Sequence, residues 1–169
     1  NPLTARVLVN RIWQHHFGEG LIRTPNNLGF KSDPPNNQKL LNWLAAEFMH
    51  PTFDNGPAWT IKRLHKLIMT SETYKQDSIH PNEKEFNLID YPNRNWWKFP
   101  RRRLDSEALR DAMLSVSGKL NLKAGGPSFY PEMSNEALEG LSRKSGDWQK
   151  STDYERSRRS IYMMTKRSR

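Results

Sequence analysis

The residues able to carry acid–base or metal chemistry are few. The histidines are His15, His16, His50, His65 and His80, and the chain has no Cys. Thiolate metal sites, Cys nucleophiles, disulfides and haem attachment through a Cys-x-x-Cys-His motif are therefore excluded within this segment. His15 and His16 are adjacent, so on a helix they diverge by about 100° and cannot share an ion. No His-x-x-x-His spacing occurs, and no metal site is assigned. There is no Gly-x-Ser-x-Gly or Ser-x-x-Lys context for a nucleophile. Asp105, Glu107 and Asp111 read as capping and surface acids of one helix, not as a glycosidase pair. Gly125-Gly126-Pro127 is too short for a phosphate loop. The sequence names no catalytic residue and leaves open whether the protein is an enzyme.

What remains is cationic. Lys and Arg number 27 against 18 Asp and Glu, a net charge of +9. That excess favours anionic partners: a polysaccharide, a lipid head group, an acidic protein or nucleic acid. Arg101, Arg102 and Arg103 follow Trp96, Trp97 and Phe99. Arginine beside aromatic rings suits sulfate, phosphate or carboxylate groups. In an extended run Arg101 and Arg103 point one way and Arg102 the other. One face then pairs with acids of the same domain and the other is open to a ligand. A second basic run holds Lys150, Arg156, Arg158, Arg159, Lys166, Arg167 and Arg169, and reads as a solvated face or as arginines salt-bridged to parts outside this chain. Nucleic acid is disfavoured, because no helix-turn-helix or aromatic RNA-binding signature accompanies the charge. Arg6 and Asn10 share a helix side with Trp13 and Phe17, where polar groups need partners or a cleft. The binding candidates are Arg6, Asn10, His16, Arg101, Arg102 and Arg103. A satisfied structural role is the competing account for each.

The elements that position them are helices. Asn1 and Pro2 open a helix over 3–17 whose apolar residues nearly encircle it, with Thr4, Arg11 and His15 on a narrow polar strip. Gly18 and Gly20 end it. A second helix covers 38–49. A third, capped by Thr60, runs to about residue 74, with Lys62, Arg63 and Lys66 outward and His65 on the apolar side. A short helical turn falls near 83–89. The stretch 101–120, RRRLDSEALRDAMLSVSGKL, gives the clearest pattern. Asp105 caps it, and Leu104, Ala108, Leu109, Ala112, Met113, Val116 and Leu120 line one half, with Leu114 as the exception. Residues 135–141 suggest one short helix. Residues 159–165 read as a strand whose one available partner is 128–130. The expected fold is mainly α: about four helices packed around 3–17 and 101–120, with a minor extended element near the C-terminus. No long apolar run that could span a membrane appears.

The blocks NPLTARVLVNRIWQHHFGEGLIRTPNNLG, LLNWLAAEF, WTIKRLHKLIMTSETYKQ, RRRLDSEALRDAMLSVSGKLN, GGPSFYP and RRSIYMMTKR, taken in order, resemble the planctomycete-type domain of unknown function DUF 1553. The resemblance covers essentially the whole chain. It departs where Pro35-Asn36-Asn37-Gln38 replaces the family's usual Ser/Thr-His-Pro-Glu entry to the second helix. The resemblance implies a single partial domain, residues 1–169, of a larger exported bacterial protein. It implies a DUF 1549-type neighbour and, elsewhere in such proteins, a c-type cytochrome domain; it transfers no catalytic residue. The leading expectation is a structural or interaction module with an Arg/Trp-rich surface for a neighbouring domain or an anionic ligand. The alternative is part of an enzyme, polysaccharide- or redox-linked, completed outside this chain.

Overall fold

The computed structural model describes residues 1–29, 31–136 and 148–165. The chain forms two compact units, Asn1–Arg102 and Arg103–Arg169. The described elements are helical and include no sheet.

Unit 1 is built on α1, Pro2–Phe17. The Asn1 side chain accepts from the Leu3 N–H at 2.9 Å, and Gly18, at φ +91°, closes the other end by donating to the Gln14 carbonyl. α2, Gln38–Met49, starts where the Asn37 side chain accepts from Leu40 N–H. Ala5, Val9, Ile12, Trp13 and Phe17 bury against Leu41, Leu44, Ala45 and Phe48 of α2 and Leu64 and Ile68 of α3, Ile61–Met69. The apolar ring expected around α1 is only a face: Leu3 and Val7 are exposed, because α1 is covered from one side. Thr60 precedes α3 but makes no side-chain cap, and the expected single helix to residue 74 breaks in two. The hydroxyls of Thr70 and Ser71 bond back to the carbonyls of Lys66 and Ile68. Ser71 also caps α4, Glu72–Lys75. Side chains that offer the backbone such local partners compete with helix continuation.

Arg63 does not face outward. It is buried, and its Nη2 donates to Glu47 at 2.8 Å while its Nε donates to Asp54 at 2.5 Å. Glu47, only 3% exposed on the inner side of α2, also accepts from the Thr52 hydroxyl and from the Thr52 and Phe53 amides. These bonds, the Thr52 hydroxyl first and Arg63 next, outweigh burial and hold the Glu47 carboxyl down at about 2.

After α5, Glu83–Asp90, the Asp90 carboxylate accepts from the amides of Arg94 and Asn95. That clamp holds the turn where Trp96 sits at φ +50° and packs edge-on against Trp13 at 5.2 Å. Phe99 then enters the core beside Phe17 and Tyr74. The chain carrying Arg101 and Arg102 is thus anchored immediately upstream by buried aromatics.

Unit 2 overturns the expectation for 101–120. Its helix, α6, spans Ser106–Val116, capped by Asp105, whose side chain accepts from Ala108 N–H at 2.7 Å. None of its residues is buried, and Met113 and Val116 are 63% and 88% exposed. The side that packs carries Arg110, Asp111 and Leu114, the last being the residue outside the apolar pattern. Asp111 accepts from the Ser160 amide at 2.8 Å and hydroxyl at 2.7 Å. Arg110 donates to the Arg158 carbonyl at 3.0 Å and to the Arg156 carbonyl. Arg158, read from sequence as part of a solvated basic face, is fully buried. It donates to the Pro127 and Gly125 carbonyls and to Glu155, and lies over the Tyr162 ring at 4.1 Å. Short loops with no ladder leave carbonyls unpaired, and a guanidinium with five donors satisfies several at once.

The strand expected over 159–165 is replaced by α7, Asp153–Arg156, a 3-10 turn at Ser160–Tyr162, and two single parallel bridges, Asn121↔Arg158 and Phe129↔Met163. The expected pairing with 128–130 thus survives as one bridge. The helix expected at 135–141 lies outside the described residues beyond Glu136.

Candidate functional site

The α1 C-terminus is where cationic side chains converge without acids to neutralise them. Arg11, Gln14 and His15 stand on its solvent side. Arg102 crosses from the aromatic anchor at Phe99 and donates from Nη1 to the Gln14 carbonyl at 3.3 Å. Gly18 permits that crossing: a Cβ there would stand 2.9 Å from Arg102 Cδ, and φ is +91°. With Pro25 and Asn26, these residues line an open cleft of about 380 Å³. No acid lines it, and neither Arg11 nor Arg102 forms an ion pair among the described residues. The last carbonyls of α1 carry partial negative charge, which favours a cation such as Arg102 beside them.

On the neighbouring side of the same turn, His16 Nε2 lies 2.7 Å from His65 Nδ1 of α3. The tautomers decide which ring donates. Tyr74 of α4 meets the His16 ring edge-on at 5.4 Å. Both histidines are half-buried. Burial first, then the charges of His65, Arg102 and His15, hold the His16 pKa below 6.5. With both rings neutral one N–H···N hydrogen lies between the facing nitrogens, and charging both rings would set like charges against each other. Its facing nitrogens are committed to each other. Among the described residues no cluster of three or more His, Asp or Glu could hold a metal ion.

The six sequence candidates separate. His16 and Arg102 belong to this region. Asn10 is structural: it is 1% exposed, accepts from the Ile22 amide at 2.8 Å and donates to the Ile22 carbonyl at 3.0 Å. Gly20 is required beneath it, since a Cβ there would approach the Ile22 carbonyl oxygen to 2.6 Å. Arg6 donates to Asn42 Oδ1 at 3.0 Å and lines a different cleft with Ser32, Asp33 and Gln38. Arg101 donates to the Ser78 hydroxyl at 3.2 Å and lines a third cleft with Glu83 and Lys98. Arg103 is exposed, belongs to unit 2, and makes no hydrogen bond or ion pair among the described residues. None of the three consecutive arginines pairs with an acid there. Acids engage Arg63, Arg110 and Arg158 instead.

Sequence reasoning missed Arg11 and His15 as cleft residues and His65 as the partner of His16. Arg11 and His15 stood on the polar strip of α1, one turn apart, which was the available signal.

The family model PSD1, protein of unknown function (DUF1553), matches residues 1–169, the whole chain. No curated protein and no solved structure matches.

Proposed function

We propose that this chain, which belongs to the DUF1553 family of proteins of unknown function, is an interaction module whose first unit binds an anionic group in the cleft of Arg11, His15 and Arg102. The observation that carries the reading is two arginines and a histidine around one cleft, with no acid in its lining and no ion pair on either arginine among the described residues. An arginine without a counter-charge gains from an anion that completes its hydrogen bonds, and sulfate or carboxylate oxygens match its planar fork. An anionic glycan or an acidic protein segment, including one on a DUF 1549-type neighbouring domain, is the partner class. The same proposal places the chain, as one partial domain, in a larger exported protein, which in some cases carries a c-type cytochrome domain; family membership is its support. No helix among the described residues is long and apolar enough to cross a membrane.

The test is binding of dextran sulfate and polygalacturonate oligosaccharides by calorimetry at two salt concentrations. Arg102→Gln and Arg11→Gln should each weaken binding, and high salt should weaken it further. Arg103→Gln should not matter. Equal affinities for all variants, or none for the wild type, would remove the proposal.

The alternative, part of an enzyme, rests on the His16–His65 pair as a proton carrier beside that cleft. It predicts that His16→Gln abolishes turnover by the full-length protein, where the module reading predicts a change in binding alone.

A further inference from the structure

Neither His16 nor His65 lines the cleft, yet the charges of two residues that do, Arg102 and His15, act on His16. His16 adjoins His15, a cleft residue, and Arg102, also in the lining, donates to the carbonyl of Gln14, two residues before His16. We propose that the pair is a proton-linked regulator of the anion cleft: taking up one proton tightens anion binding, and a bound anion draws a proton onto the pair. The inference rests on the anion-cleft reading.

The geometry supports a single-proton device. Two imidazoles 2.7 Å apart hold one N–H···N bond when neutral. Adding a proton turns that bond into a charge-assisted one without breaking it. The added charge then faces an arginine and a histidine that an anion would neutralise. The groups facing the pair are His15 from α1, Arg102 from the segment after Phe99, and the Tyr74 ring from α4. No carboxylate is among them. An empty cleft therefore opposes the proton, and a filled one removes the opposition. Reciprocity is required: the factor by which an anion favours the proton equals the factor by which the proton favours the anion.

Sulfate is the suitable probe, because it does not titrate between about pH 5 and 8, whereas phosphate does, with its second pKa near 7. The measurement follows the C2–H resonances of His16 and His65 through a pH titration of the whole chain, with and without sodium sulfate at constant ionic strength. The expected result is a midpoint raised by roughly 0.7 pH units at saturating sulfate, a coupling of about fivefold. Arg103→Gln, outside the cleft lining, must retain the shift. Arg102→Gln should lose it. If sulfate saturates the Gly18 and Arg102 amide resonances while the midpoint stays fixed, the linkage is wrong and the anion cleft stands. If sulfate perturbs neither set, the anion cleft itself fails. The wild-type titration decides the matter even where a variant does not fold.

Discussion

Glu47 offers the most quantitative test of how unit 1 is held together. Its carboxylate is buried, accepts from Thr52, Phe53 and Arg63, and has its pKa lowered from 4.5 to about 2. The sign follows from the lowered value: the unfolded chain takes up a proton near its ordinary carboxylate pKa, and the folded one resists until far lower pH. Stability from this group is therefore complete above the unfolded value and is lost as pH falls toward the folded one. That lowering is worth about 3 kcal/mol at neutral pH, of which about 1 kcal/mol is gone by pH 3.5. Glu47→Gln keeps the shape and removes the charge. Arg63 retains Asp54, which is half exposed, so the cost should lie near 2–4 kcal/mol, at or below that of breaking an isolated buried pair. Five of the six tryptophans lie in unit 1, so urea unfolding followed by tryptophan fluorescence reads that unit. At pH 7 the variant should be less stable by that amount, and between pH 7 and 3.5 it should lose about 1 kcal/mol less than the wild type. A cost below about 1 kcal/mol, or an unchanged acid slope, would refute the buried-clamp account.

Ile12→Ala should cost about 2–5 kcal/mol, since Ile12 is buried where α1 meets α2 and α3; calorimetric melting checks it, and a loss under about 1 kcal/mol would make α1 peripheral. Met113→Gln should change stability by no more than about 0.5 kcal/mol, because that face of α6 is bare; a loss of several kcal/mol would restore the core role its pattern suggests. His16→Gln should flatten the pH dependence of stability in the acid direction. The His16 pKa is lowered on folding, so the wild type gains stability as pH rises through 6.5, and the variant should gain less when urea midpoints are compared across that window.

Legibility tracked locality. The caps at Asn1 and Asp105 and the span Gln38–Met49 were readable because the partner of each cap lies two or three residues away. The single helix through residues 60–74 failed because Thr70 and Ser71 had two local options, continuing or bonding back, and the second won. Of the cleft's cationic residues Arg102 was legible, as was His16 beside the cleft, because both were polar residues in conspicuous company. The other half, Arg11 and His15, looked like an ordinary solvated strip until Arg102, 88 residues from Gln14, was laid across it.

By itself the sequence determined that the chain is helical, basic and free of thiol chemistry, and where α1, α2, α3, α5 and α6 start. Those are properties of side-chain types and of neighbours within a turn. The tertiary structure alone decided which charges go inside. Arg63 meets Glu47 across 16 residues, Asp111 meets Ser160 across 49, and His16 meets His65 across 49. A charged residue reads as exposed until its counterpart is known, and an apolar stripe reads as buried until something is found to cover it. Burial depends on what the rest of the chain brings to a residue, so a one-dimensional pattern placed α6 in a core it does not join and left Arg158 outside one that it holds together.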